Sequence, residues 1–457
     1  LCLCAASSPA AQTIDWPKTH AEAAQHFQAL LRIDTSNPPG NETRAAKYLQ
    51  GVLEKEGIPV KLLALEPDRA NLVARIRGNG RKRPILVLGH TDVVGVQREK
   101  WSVDPFAAVR REGVVYGRGA VDDKDNVTAG LMLMLLLKRA GVRLERDIVF
   151  LAEAGEEGGT RVGIDFMIGR HWNEIDAEFA LAEGGYLASQ GGRVRFAAIS
   201  TTEKIPRGIR LVARGTAGHG SRPIPDNAVV RLAQAVARVA AWRPPIRLND
   251  TTRAYFERLA TISAPDAADR YRHIVNPARA GEIDQHFWLH EPGHFSILRT
   301  SIAPTMINAG FRNNVIPSEA DAYLDVRALP DENMTQFAEQ VRKVINDPKV
   351  EVRLPQAGGR PAAPPSRIDT EMFRALERAQ RRLFPGAVTL PAMLTGATDM
   401  AQLRAKGVQS YGIGPVVDLA DGTAGGAHSD DERLALVGLD KLVEFLWTAV
   451  MEAAAAR

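Results

Sequence analysis

An α/β domain interrupted by an inserted α+β domain is the fold this sequence predicts, and three observations carry it. Near-continuous apolar runs such as PILVLG and DIVFLAE alternate with helical segments up to about Glu203; such runs read as strands buried on both faces. Beyond Glu203 the strands alternate apolar with polar residues, as half-exposed strands do. The Pro/Gly-rich stretch AGGRPAAPPSR then reads as a linker, after which helix, short strand and helix resume. At about 150 residues per domain, the length fits two or three domains.

The elements follow in order. Ala21 to Gly57 reads as helix, broken by the turn SNPPGNE. NLVARI and PILVLG are strands, joined by GNGRKR, a basic loop read as a solvated turn. Asn126 to Ala140 is a strongly apolar helix, and DIVFLAE and EFALAE are strands. RGIRLVARG is a half-exposed strand. PDNAVVRLAQAVARVAAW is an amphipathic helix with Asp226 near its start. An irregular stretch leads to the strand EADAYLDVRAL, the helix DENMTQFAEQVRKVI and the strand VEVRL. The expected layout is 1–11, a signal-peptide remnant; 12–203, the first part of the α/β domain; 204–358, the inserted domain; and 359–457, the second part of the α/β domain.

Composition narrows the class. Apolar residues are 45% and charged residues 25%, ordinary for a globular protein, which excludes a disordered, collagen-like or disulfide-scaffold chain. The net charge of +4, from 58 basic and 54 acidic residues, is spread along the chain and points to no nucleic-acid partner. No apolar run is long enough for a membrane-spanning helix. Cys2 and Cys4 are the only cysteines, so neither an intrachain disulfide nor a thiolate metal site is expected. The opening LCLCAASSPAAQ reads as the tail of a secretory signal, with small residues near Ala10 and Ala11 suited to cleavage. Leu3 is too large for the position before a lipid-anchored Cys4. A secreted or periplasmic protein is the expectation.

Four segments carry chemistry: GHTDVV, GRGAVDDK, EAGEEGG and LAEGG. Each holds an acid or a histidine just after an apolar strand or just before a helix, where open α/β sheets bind ligands. His90, Asp122, Glu156, Glu157 and Glu183 come from these four, and His428 from a fifth, GGAHSDDE. Carboxylates gathered in one crevice repel unless a cation neutralises them. Carboxylate and imidazole without thiolate suit zinc, cobalt or manganese. Five ligands exceed the need of one tetrahedral zinc; two metals sharing a carboxylate fit better. Asp92, two residues after His90 on an extended strand, is placed to accept the other ring N–H of His90. GRG is no phosphate loop, because the third glycine is missing and an acid follows.

With these motifs, and WSVDPF ahead of YGRGAVDDK, the chain resembles the M20 metallopeptidases from about Phe27 to the C-terminus. The resemblance implies a zinc-peptidase-like catalytic domain, with a mixed sheet flanked by helices, interrupted by a lid that also dimerises. It implies two zinc ions per chain, with cobalt or manganese as substitutes: one held by His90, Asp122 and Glu183, the other by Asp122, Glu157 and His428. Asp122, rather than its neighbour Asp123, is the bridge. Glu156 matches the general base. His219 of TAGHGSRP matches a residue that reaches the active site from the partner's lid. Asn314 of NNVIP and Arg327 of LDVR match substrate-binding positions, and Asp399 of TGATDM resembles a substrate-side loop.

The implied reaction is cleavage of a peptide or amide bond next to a free carboxylate, of carboxypeptidase type. An N-acyl-amino-acid hydrolase is the alternative. A catalytically dead binding protein is the non-enzyme rival, and the presence of every matched position argues against it. His171, His273, His286, His290 and His294 match no ligand position. The run QHFWLHEPGH is read as an insertion with structural histidines, against a surface metal patch.

Overall fold

The computed structural model describes residues 14–354, 359–421 and 425–456. The signal-like residues 1–11 lie outside them. The chain divides into two compact units. The first runs to Thr201 and resumes over Ser366–Pro391 and from Thr398 onward; the second comprises Thr202–Pro365 and Ala392–Ala397. The short return of 392–397 to the second unit has no signature in the sequence. It follows from a backbone bond, Lys204 N–H to the Leu394 carbonyl at 2.8 Å.

The first unit is built on a ten-stranded mixed sheet. Its strands are β1 (Val60–Ala64), β2 (Ala70–Ile76), β3 (Ile85–His90), β4 (Ile148–Glu153), β5 (Phe179–Ala182), β6 (Tyr186–Gln190), β7 (Arg193–Glu203), β8 (Val388–Leu394), β9 (Gln409–Gly412) and β10 (Val416–Asp418). Their order is β1-β2-β4-β3-β5-β9-β7-β6-β10, with β8 also on β7. The centre is parallel: β3 pairs with β4 and β5, and β5 with β9. Every residue of β3, β4 and β5 is buried, which is why their sequences are apolar without alternation.

The helix Lys124–Ala140 shares a core with β3 and β4 through Val127, Leu131, Val87 and Phe150. At Gly130 a Cβ would stand 2.5 Å from the Phe150 ring, so only glycine allows this close approach. The helix stops at Gly141, whose φ of 58° is left-handed. In the basic loop, Lys82 pairs with Glu145 and Glu371, and Arg83 with Asp176.

The second unit holds a four-stranded antiparallel sheet, in the order Ser301–Ala309, Glu319–Ala328, Ile205–Arg214, Val350–Arg353. The helices Ala228–Ala241 and Met334–Ile345 pack on it through Leu232, Val239, Phe337 and Val341. Asn227, not Asp226, caps the first helix by accepting from Val229 N and Val230 N. Asp226 turns away to Arg231 and Lys349.

The stretch expected to be irregular instead folds into four short helices, Asp250–Leu259, Pro265–Arg272, Ala280–His290 and Pro292–Ile297. Two start with Pro at their first turn, a residue that reads as a breaker in sequence but is tolerated there. They enclose a separate apolar cluster around Phe256, Ile283 and Phe287. No helix among the described residues is long and apolar enough to cross a membrane.

Candidate metal centre

Because β3, β4 and β5 are parallel, their carboxyl ends fall at one edge, with His90 in register with Glu153. His90 closes β3, the Glu156–Glu157 turn follows β4, and Glu183 follows β5. Asp122 ends the loop before the Lys124–Ala140 helix, and His428 arrives from the C-terminal segment. Two trios result: His90, Asp122 and Glu183, and Asp122, Glu157 and His428. Within each, one ligand atom per residue lies within 4.8 Å of the others.

Asp122 belongs to both trios. Its Oδ1 faces His90 Nε2 at 2.9 Å and its Oδ2 faces His428 Nε2 at 3.2 Å. Glu157 Oε1 lies 2.9 Å from the same His428 nitrogen. The His90 tautomer is fixed by its other side. Nδ1 lies 3.0 Å from the Asp92 backbone carbonyl, which can only accept, so Nδ1 carries a proton and the neutral ring leaves Nε2 as its lone-pair side. A cation between Nε2 and the Asp122 carboxylate holds the two together: without metal it is a second ring proton, which the surrounding carboxylates favour by raising the His90 pKa against its burial, and a metal ion takes the same place. The donor set, two imidazoles and three carboxylates, fits divalent metal ions of the zinc, cobalt or manganese type.

The charges respond to this crowding. Burial raises the Asp122 carboxyl, but the imidazoles of His428 and His90 outweigh it and hold it well below the usual carboxylate range. The Asp122 and Glu157 carboxylates push His428 up to about 10. Glu183 is raised by burial and by the negative charges of Asp122 and Asp123; the Glu156 charge adds to this.

Asp92 pairs with His90 and does more besides. The strand ends at His90, so the ring bonds the backbone carbonyl of Asp92, with its carboxylate 3.5 Å away. That carboxylate, fully buried, also accepts from Glu156 N at 3.0 Å, Glu157 N at 3.1 Å and Asn37 Nδ2 at 2.8 Å. It therefore holds the turn that carries both glutamates. Asp123 points inward, accepting from His90 N and Asn126 Nδ2, and burial pushes it up to about 7. Asp399 is 2% exposed. Its carboxyl interacts with buried Glu153, raising that residue further, and it lines a small cavity together with His90 and Glu183. Sequence reasoning missed Asn37, Glu153 and the buried Glu432. Only the acids had a signal, as extra members of the runs EAGEE and DDE.

The family Peptidase_M20, peptidase family M20/M25/M40, matches residues 86–452. The chain belongs to this family. It is 30% identical over 384 residues to "Probable carboxypeptidase S-like 2" of Dictyostelium discoideum, covering 80% of this chain and 70% of that one. It is 27% identical to Aminoacylase-1A of Rattus norvegicus, covering 92% and 93%. Its fold matches an M20 family metallo-carboxypeptidase, Sso-CP2 from Sulfolobus solfataricus, with a TM-score of 0.69, 18% identity, and 94% and 99% coverage. This M20 chain is thus a metal-dependent hydrolase of the peptidase and aminoacylase type.

The remaining candidates of this M20 protein lie in the second unit. His219 is exposed on a two-residue ribbon, Gly218–His219 against Val315–Ile316, and the exposed Asn314 immediately precedes its second strand. Gly220 N bonds the Asn314 carbonyl at 2.8 Å, and a Cβ at Gly220 would press on the Asn314 backbone at 3.3 Å. His219 Nδ1 accepts from Ser221 N at 3.1 Å and lies 2.7 Å from Ser221 Oγ. A backbone N–H can only donate, so the neutral ring carries its proton on Nε2. Arg327 donates from Nε to both oxygens of Asp325 at 3.1 and 3.2 Å. Its terminal nitrogens make no hydrogen bond among the described residues.

His294 bonds Glu291 at 2.5 Å and Tyr255 at 3.0 Å, and His286 bonds Glu291 at 3.1 Å. Among the described residues no metal-binding group includes them.

Proposed function

We propose that this chain is a di-zinc hydrolase of carboxypeptidase type, cleaving a peptide or amide bond next to a free carboxylate. The observation that carries this reading is the Asp122 carboxylate, whose two oxygens each face the imidazole of a different ligand trio. Two divalent ions held by these residues would acidify a water toward a pKa of about 7 and polarise the scissile carbonyl. Glu156 is the general base, taking a proton from the attacking water and passing it to the leaving amine. His219 donates from Nε2 to the oxyanion, the role its Ser221-fixed tautomer suits. Arg327 offers its terminal nitrogens to the substrate carboxylate, with Asn314 assisting. Asp92 holds the Glu156–Glu157 turn.

The alternative substrate is an N-acyl amino acid, favoured by the similarity to Aminoacylase-1A along nearly all of both chains. A homodimer through the second unit belongs to the same proposal. Its edge strand Ser301–Ala309 exposes Met306 and Ile307, an apolar edge that pairing with a second copy would cover. Export rests on the sequence of the first twelve residues alone.

The test is to load the purified protein with zinc, count metal, and screen dipeptides against N-acyl amino acids, free and carboxyl-amidated. The expected result is two zinc equivalents, with hydrolysis abolished by chelation and sharply reduced by amidation. Full activity in metal-free protein sinks the reading.

A further inference from the structure

The segment WSVDPF and the acid ending GGAHSDDE have no part in the chemistry above, yet the structure joins them beneath the shared ligand. Glu432 is fully buried. Its Oε1 accepts from Val121 N at 2.8 Å and Asp122 N at 3.2 Å. Its Oε2 accepts from Gly119 N at 3.1 Å and Arg118 Nη1 at 2.5 Å. Four donors thus converge on one carboxylate, and three of them are backbone amides of the loop that ends at Asp122. Gly117 N bonds the Glu432 carbonyl at 2.9 Å, and the next residue, Arg433, pairs with Tyr116. Glu432 also follows His428 by four residues, so one short segment supplies a ligand to one trio and grips the loop of the ligand common to both.

WSVDPF closes this arrangement from outside. The Arg118 guanidinium lies 5.2 Å from the centroid of the Trp101 ring, a cation–π distance. Arg118 N donates to the Pro105 carbonyl at 2.9 Å, and Ser102 N to Asp431 Oδ1 at 2.7 Å. Two positions of the motif, Trp101 and Pro105, therefore hold Arg118, a partner of Glu432, and a third, Ser102, holds Asp431 beside it.

We infer that Glu432 is a positioning residue for the metal centre, setting the backbone of Asp122 so that each carboxylate oxygen meets its own trio, with Trp101 and Arg118 as its support. This rests on the reading of Asp122 as the shared metal ligand. Outer partners of metal ligands typically cost about 10–100-fold in metal affinity when removed. Because Asp122 is common to both trios, the loss falls on both metals.

Glutamine cannot substitute silently. All four partners of Glu432 are donors, so a carboxamide must aim its NH2 at another N–H. The experiment is competitive zinc titration of the metal-free full chain against a chromophoric chelator, for wild type, Glu432→Gln and Glu432→Asp. Asp284→Asn serves as the control for a general loss of stability, because Asp284 pairs with the buried Arg299 in the second unit.

The expected result is a fall of about 10–100-fold in zinc affinity for both equivalents in either Glu432 variant, with the far-UV spectrum of the metal-free protein unchanged. Asp284→Asn should lower the melting temperature without moving zinc affinity. A folded Glu432 variant that binds zinc like wild type overturns the inference. So does failure of both variants to fold, which would make Glu432 a core residue only. Wild type that binds no zinc would instead overturn the proposed function itself, so the two failures are distinguishable.

Discussion

In the first unit, His90, Asp92 and Glu432 are at most 2% exposed, and each is bonded to groups that can act in only one sense, donor or acceptor. In the second unit, His219 stands exposed on a two-residue ribbon with exposed Asn314 beside it, and Ser221 restrains the His219 ring. The difference teaches where precision resides. Metal ligands repel one another unless their carboxylates are fixed around the positive charge, so their backbone is pinned from below. A hydrogen-bond donor to a developing oxyanion needs its proton on the correct nitrogen, and one backbone N–H suffices for that.

The sharpest test of the first region separates two adjacent glutamates. Glu156→Gln should retain both zinc equivalents yet lose about 10²–10⁴ in kcat, the usual weight of a general base. Glu157→Gln should weaken zinc binding in the trio with His428. Near-wild-type turnover of Glu156→Gln would show that the roles are misassigned.

In the second region the expected losses are smaller. His219→Ala should lower kcat about 10²–10³-fold with zinc content unchanged. Ser221→Ala should cost less, since the Ser221 backbone N–H that fixes the ring remains. If Ser221→Ala matched His219→Ala, the hydroxyl would matter more than the backbone amide, and the tautomer argument would fail.

The smallest effect concerns stability. Lys204 is fully buried in the second unit, donating to the Ser296 and Arg299 carbonyls at 2.8 and 2.6 Å. Burial, with Arg299 and Arg327 adding to it, lowers its pKa to about 7 from the ordinary lysine value. Between pH 7 and about 10 the unfolded chain therefore binds the proton that the folded chain has released, so stability rises with pH in that window. The melting temperature of wild type relative to Lys204→Met should increase from pH 7 to pH 10. A difference flat across that range would show that Lys204 stays charged in the fold.

Much of the first unit was legible because strands buried on both faces leave an unbroken apolar signature, and acids just past their ends stand out against it. Where the reading failed, the reason was a long-range neighbour. Nothing in the sequence showed that the Asp92 carboxylate, besides facing His90, takes the Glu156 and Glu157 amides, or that Asp399 meets the buried Glu153. Asn227 caps the helix where Asp226 was noticed, since Lys349 and Arg231 draw Asp226 away. The four helices between 250 and 297 were hidden by prolines that start helices as readily as they end them.

The sequence by itself determined the family, the alternation of strand and helix, and the set of acids and histidines delivered to one sheet edge, since these depend on local patterning and chain order. Only the tertiary structure decided how neighbouring acids part. Asp122 and Asp123 are chemically identical and adjacent, yet one is pinned by Glu432 with its oxygens toward two imidazoles, while the other turns inward to the His90 N–H and Asn126. Side-chain direction and desolvation are set by tertiary neighbours, from His90 at 32 positions to Glu432 at 310 for Asp122, and the spacing of the two acids does not encode them.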